Sequence, residues 1–250
     1  MKLTVHETAE DMGKAAAEAA ARILREALAR KGQAAFIAAT GASQFGFLES
    51  LVAAPGIAWE RTSMFHLDEY IGFSADHPAS FRRYLRERLT SRVPIGTVYF
   101  IEGDAPNIQK ELDRLNRLLA ATPIDVAFVG IGENGHLAFN DPPADFEVAT
   151  PYLIVTLDEA CRRQQFGEGW FKSLEDVPKR AISMSVKQLM KSAHIICTVP
   201  DRRKAKAVKA CLEGEIGPMV PASILRRHPQ CLLFLDREAA SLLSPSTLSS

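Results

Sequence analysis

The chain has 250 residues, 47% of them hydrophobic and 24% charged, and its 30 Lys and Arg balance 30 Asp and Glu. Such a chain can bury a sizeable core, and its neutral balance gives no electrostatic footprint for a nucleic-acid partner, so an anionic ligand has to be held by a local site. No apolar run approaches the roughly 18 residues of a membrane span, and the N-terminal MKLTVHETAED has no apolar leader, which predicts a cytoplasmic protein with no membrane partner.

Between Thr8 and Lys31 the apolar positions Met12, Ala16, Ala19, Ala20, Ile23, Leu24, Ala27 and Leu28 recur at helical spacing, with Thr8 and Asp11 placed to cap the start and Gly32 the end. The short run 34–39 is too brief for a helix. It leads through Thr40-Gly41-Ala42-Ser43 into the helical FGFLESLVA, a strand-loop-helix unit. The alternation continues with SMFHL, the helix FRRYLRERL, the strand VYFI, a helix over 107–121 and the strand IDVAFVGI. In the second half LIVTL, AISMS, HIICTV and CLLFL read as strands, and RRKAKAVKACLEG and REAASLL have helical composition.

Strands apolar at almost every position are covered on both faces. The predicted fold is therefore α/β, a doubly wound, mainly parallel sheet with helices on both faces in the Rossmann-like manner. No linker, charge block or repeat divides the chain, so a single domain over 1–250 is expected, with 244–250 a frayed tail. Cys161, Cys197, Cys211 and Cys231 stand far apart with no C-x-x-C pair, which predicts reduced, buried thiols.

Ligands of such sheets sit beyond the C-terminal ends of strands, so the loops that follow apolar runs are the places to search for chemistry. In Thr40-Gly41-Ala42-Ser43, small residues let backbone N–H groups approach an anion at a helix N-terminus, though an ordinary turn uses the same residues. In His66-Leu67-Asp68-Glu69-Tyr70, two adjacent carboxylates leave a strand pointing in different directions, so at most one faces a given substrate atom; a general base and a solvated acidic turn are both open. The third loop, from Gly130 to Pro142, sets His136 among three glycines with a carboxylate shortly after it, an arrangement suited to an imidazole that moves protons. Its G-x-G-x-x-G spacing is a poor dinucleotide fingerprint, because Asn140 to Pro143 prevents a long helix from following. His6, His77, His194 and His228 form no metal-ligand spacing, and with no compact His/Cys/carboxylate cluster in the sequence neither an essential metal nor a cofactor is expected.

Taken together, ATGAS, FHLDEYIGFSADHPASF, DVAFVGIGENGHLAFNDP and VPDRRKAKAVKACLEG resemble the successive motifs of the glucosamine-6-phosphate deaminases, over about residues 34–236. The related 6-phosphogluconolactonases continue differently after the His. The resemblance implies a hydrolase of amino sugar metabolism that converts glucosamine 6-phosphate and water to fructose 6-phosphate and ammonia. It assigns Asp68 as the base that moves a proton between C2 and C1, His136 as the group that assists ring opening, and Asp141 as its acidic partner. Thr40, Gly41, Ser43 and Lys204 fall on phosphate-holding positions, and Glu69 and Gly132 are expected beside the substrate.

Three departures from the family pattern stand out. Asn134 replaces an Asp common in relatives, which predicts a lower imidazole pKa at His136. Gly169-Trp170-Phe171 stands where relatives carry an R-F-F run with a phosphate-binding Arg, leaving Arg162 or Arg163 as substitutes. The segment PPADFEVATPYLIVTL lacks the Ser- and Arg-rich stretch of allosteric relatives, so no activation by an acetylated effector is expected. Galactosamine 6-phosphate as substrate, a sugar-phosphate-sensing module and a lactonase or isomerase of the same fold are the competing readings; no helix-turn-helix supports the second. Self-association into a homo-oligomer is left open by the sequence.

Overall fold

The computed structural model describes residues 1–248. Ten strands and nine α-helices succeed one another there: β1 (Lys2–His6), α1 (Ala9–Lys31), β2 (Ala34–Ala38), α2 (Phe45–Ala53), β3 (Thr62–His66), β4 (Asp68–Tyr70), α3 (Phe81–Leu85), β5 (Thr97–Tyr99), α4 (Ile108–Ala120), β6 (Val126–Val129), β7 (Tyr152–Thr156), α5 (Glu159–Gly167), β8 (Arg180–Met184), α6 (Val186–Leu189), β9 (His194–Val199), α7 (Ala205–Glu213), β10 (Cys231–Asp236), α8 (Arg237–Ala240) and α9 (Pro245–Leu248). Seven strands form one parallel sheet in the order β1-β10-β9-β6-β2-β3-β5. Alternation along each central strand explains why both faces are apolar. In β2, Ala35 and Ile37 enter a core with Leu112, Leu115 and Leu119 of α4 and Val208 of α7, while Ala34, Phe36 and Ala38 enter a second core with Met12, Ala16, Ala20 and Leu24 of α1.

Helix α1 is set by its ends as the sequence indicates: the Thr8 hydroxyl accepts the Asp11 N–H at 3.1 Å, and Gly32 closes the helix with φ 74° and an N–H donated to the Leu28 carbonyl. All four cysteines are free and buried.

Three departures from the expected layout matter. Strand β1, at the sheet edge, was not anticipated. Strands β7 and β8, read as members of the parallel sheet, instead form a separate antiparallel sheet with β4, in the order β4-β8-β7. This second sheet carries the segment with the paired carboxylates. Finally, the tail expected to fray from Ser244 makes a helical turn through Leu248, anchored by the Ser244 N–H and the Thr247 hydroxyl donating to Glu213 Oε1 at 2.7 and 2.8 Å; the last two residues of that expected tail, 249 and 250, lie outside the described residues.

The chain runs outward from β2 to β3 and β5 on one side, and from β6 to β9 and β10 on the other. Strands β2 and β6 are neighbours, so the loops that follow them diverge and leave a crevice at the switch point. Those loops are Thr40–Ser43 and Gly130–Gly135.

Candidate active site

A cavity of about 280 Å³ opens at this crevice, and Thr40, Gly41, Ser43, Asp68, Gly132, His136 and Lys204 all line it. Its floor is built by close approach of backbones. Gly41 has φ 95°, a conformation that glycine adopts without strain, and its carbonyl accepts the Tyr84 hydroxyl at 2.9 Å. Ser43 and Gln44 follow in a 3₁₀ turn ahead of α2, and Gln44 ties this loop to the sheet by donating to Thr198 Oγ1 at 2.8 Å. The loop therefore presents small residues and backbone N–H groups at the start of a nine-residue helix, the setting of an anion cradle.

Gly132 is required by the imidazole. A Cβ at this position would lie 2.3 Å from His136 Cε1 and Nε2, so any side chain would displace the ring. The loop closes on itself through the Gly132 N–H donated to the His136 carbonyl at 3.0 Å. Behind the ring, His136 Nδ1 lies 3.1 Å from Asp141 Oδ1, within ion-pair range but off the line of a hydrogen bond. Burial works to raise the Asp141 pKa, but the imidazole, the Asn134 amide and the Asp158 N–H outweigh it and hold the carboxyl below its usual range.

Asn134 does not act on the imidazole as a direct neighbour. Its Oδ1 accepts the His136 backbone N–H at 3.1 Å, and its Nδ2 donates to Asp141 Oδ1 at 3.1 Å and to Asp158 Oδ2 at 3.4 Å. The amide thus holds two carboxylates together behind the ring, a role for which a carboxylate would be the wrong group. Asn134 therefore meets the imidazole only through the His136 backbone N–H and through Asp141, not as the direct side-chain neighbour that the sequence suggests.

Asp68 and Glu69 separate as alternation along a strand demands. Asp68 faces the cavity and is 5% exposed, its carboxyl makes no hydrogen bond among the described residues, and burial followed by the neighbouring Glu69 charge pushes its pKa well above the ordinary carboxylate range. Glu69 turns the other way, fully buried. Its Oε1 accepts the N–H groups of Tyr70 and Phe81 at 2.9 and 3.1 Å, and its Oε2 accepts the Ser80 hydroxyl and the Arg82 N–H at 2.9 and 2.8 Å. The expectation that Glu69 contacts substrate is therefore corrected: with four donors already on its two oxygens, it caps α3 and fixes the loop that carries Asp68.

Lys204 ends a 3₁₀ turn after β9, capped by Asp201. It is 7% exposed and lines the cavity, and its ammonium has neither hydrogen bond nor ion pair among the described residues. Burial lowers its pKa, while Glu133 and Glu168 act to raise it. Arg203 lines the same wall, paired with Asp201 at 2.7 Å. Neither proposed substitute for the missing arginine reaches the cavity: Arg162 donates to the carbonyls of Leu174 and Val177, and Arg163 pairs with Glu159 on the surface. Gln164 and Gln165 of helix α5, and Glu168 at its C-cap, line the cavity instead. These residues were missed by the sequence reading; only their shared helical face, at spacings of three and four, could have signalled them.

The fold also assembles what spacing alone did not show. His136, Asp141 and Cys161 offer ligand atoms that all lie within 4.8 Å of one another, so the expectation of no compact His/Cys/carboxylate cluster is corrected.

Comparison with known proteins places this arrangement. Residues 7–233 match the family of glucosamine-6-phosphate isomerases and 6-phosphogluconolactonases. The chain belongs to that family. It is 34% identical to a glucosamine-6-phosphate deaminase of Lactobacillus delbrueckii subsp. bulgaricus over 97% of this chain and 100% of that one. It is 37% identical to the Streptococcus pyogenes serotype M1 deaminase over 88% and 92% of the two chains. Among solved structures, a monomeric glucosamine-6-phosphate deaminase superposes with TM-score 0.88 at 31% identity, covering 97% of this chain and all of that one. The 6-phosphogluconolactonase of Trypanosoma brucei shares the fold, with TM-score 0.80 at 17% identity over 97% of this chain and 98% of that one.

Proposed function

We propose that the chain is a cytoplasmic enzyme that converts glucosamine 6-phosphate and water to fructose 6-phosphate and ammonia. The observation that carries this reading is a single cavity holding a buried, unpartnered carboxyl at Asp68 and a buried, unpartnered ammonium at Lys204. Burying either group without a partner is costly, and an anionic ligand with an acidic C–H bond satisfies both.

The phosphate is held by Lys204 and by the N–H groups and hydroxyls of the Thr40–Ser43 loop. His136 moves the proton that opens the sugar ring, held in place by Asp141 and by the Gly132 backbone beneath it. In the open aldehyde, Asp68 removes the C2 proton as the carbonyl oxygen is protonated, giving an enolamine, and returns a proton to C1. The product is an iminium at C2, which water hydrolyses to the ketone with loss of ammonia. A base with a raised pKa is suited to this, because proton transfer from carbon gains driving force as base strength rises.

Incubation with glucosamine 6-phosphate, with galactosamine 6-phosphate and with 6-phosphogluconolactone, assaying ammonia, ketose phosphate and 6-phosphogluconate, tests the proposal. Ammonia and ketose phosphate in equal amounts from the first substrate are expected. Turnover of the galactose isomer alone would reassign the substrate, and turnover of the lactone without ammonia would overturn the reaction.

A further inference from the structure

We propose that His136, Asp141 and Cys161 form a binding site for a borderline-soft divalent cation such as zinc, and that its occupation switches the enzyme off. The three ligand atoms lie within 4.8 Å of one another, and the His136–Asp141 pair is already at 3.1 Å. Small side-chain rotations bring such a set to the roughly 2.0–2.3 Å bonds of a zinc centre. His136 is 7% exposed, and its Nδ1 is a buried polar atom without a hydrogen-bond partner, aimed at this cluster.

Charge favours the same assignment. A thiolate, a carboxylate and a neutral imidazole around a dication make a neutral centre, the form that burial tolerates. Asp158, whose N–H donates to Asp141 Oδ2 at 3.1 Å and whose carboxylate accepts from Asn134, adds a nearby negative charge that disfavours a bare thiolate but attracts a cation. As the metal–sulfur bond forms, the Cys161 proton leaves to solvent, so charge and atoms balance. Of the three groups, Asp141 also lines a second cavity, of about 300 Å³, together with Asp158.

The inhibition rests on the role proposed for His136; the binding does not. Metal on Nδ1 leaves the ring proton on Nε2, facing the substrate cavity, where the ring can then no longer accept one.

The test uses the intact protein with cobalt(II) as a spectroscopic probe and zinc as the inhibitor. One cobalt per chain with a thiolate-to-cobalt absorption band is expected, together with zinc inhibition of ammonia release. Cys161→Ala, which removes a group outside the substrate cavity, should lose the band and raise the zinc concentration for half-inhibition by at least about tenfold, since loss of even an outer partner of a metal ligand typically costs about 10–100-fold in affinity. Cys161→Ser and the melting temperatures of both variants check that folding is intact, and zinc should raise the melting temperature of the wild type alone. Absence of a thiolate band in the wild type, or its persistence in Cys161→Ala, would overturn the site. Equal zinc sensitivity of both proteins would overturn the switch. A thiolate band with undiminished activity would leave the metal site standing and remove His136 from ring opening.

Discussion

Replacing Glu69 with Gln separates a structural carboxylate from a substrate contact by one atom. The two Glu69 oxygens accept four hydrogen bonds, three of them from backbone N–H groups, and Arg82 Nε lies 3.7 Å away as compensating charge. An amide has one acceptor and one donor end. Placed at Oε1, its NH₂ would face two N–H donors, those of Tyr70 and Phe81. Placed at Oε2, it faces the Ser80 hydroxyl, which can turn to accept, and the Arg82 N–H, which cannot. The second orientation is therefore the one adopted. It still abolishes one charge-assisted bond and leaves a buried N–H against another donor, while the remaining bonds lose their ionic character. At about 1.5–3 kcal/mol for a hydrogen bond to a charged group, and a comparable cost for a stranded donor, the loss comes to roughly 3 kcal/mol. For a chain of this size, that corresponds to a melting temperature lower by roughly 6–12 °C. Thermal unfolding followed by circular dichroism measures it, with KM determined well below the transition. A wild-type melting temperature combined with a raised KM would refute the reasoning and return Glu69 to the substrate.

Asp68→Asn should lower kcat by on the order of 100-fold or more, since an amide cannot accept the substrate proton, and near wild-type turnover would remove Asp68 from the mechanism. Because burial raises the folded-state pKa of Asp68 above its unfolded value, the ionised group costs stability at pH above that unfolded value; Asp68→Asn should thus melt no lower than the wild type at neutral pH, and a lower melting temperature would contradict the burial argument. By the same shift, the acidic limb of kcat/KM for the wild type should lie above the ordinary carboxylate range, as a pH profile corrected for substrate phosphate ionisation will show. Lys204→Ala should chiefly raise KM, because a phosphate contact exists in ground and transition states alike; a fall in kcat alone would place Lys204 in the chemical step. Asn134→Asp should destabilise the protein by roughly 1–3 kcal/mol, since it replaces the amide that bridges Asp141 and Asp158 with a third carboxylate, and an unchanged denaturant midpoint would show that this bridge contributes nothing.

The elements most legible in the sequence were those whose signals are local. Thr8 and Gly32 bound α1 because capping is settled within a few residues, and FGFLESLVA folds as α2 over Phe45–Ala53 because no partner is needed to define it. The double covering of β2 and β6 followed from their unbroken apolar runs. What the sequence did not show was which strands pair. Runs such as LIVTL and AISMS are apolar enough for a parallel core, yet β7 pairs with β8 and β8 with the three residues of β4 instead, the latter a contact between residues more than a hundred apart in sequence.

The division of labour between Asp68 and Glu69 follows from that pairing. Alternation guarantees that two successive carboxylates leaving a strand serve opposite faces, which the sequence shows; it does not say which face is the cavity. The pairing of Asp68 with Ser183 and of Glu69 with Ile182 settles it, turning the first towards the β2–β6 crevice and the second onto the N-terminus of α3. Cys161 joins His136 and Asp141 in the same way, because α5 starts at the end of β7 and the sheet β4-β8-β7 carries it to the back of the imidazole. Motifs therefore named the loops around Asp68, His136 and Lys204, while the antiparallel sheet decided what stands behind them: a capping carboxylate behind the base and a thiol behind the imidazole. Substitutions in that second rank should act on stability, or on metal sensitivity, before they act on the chemical step.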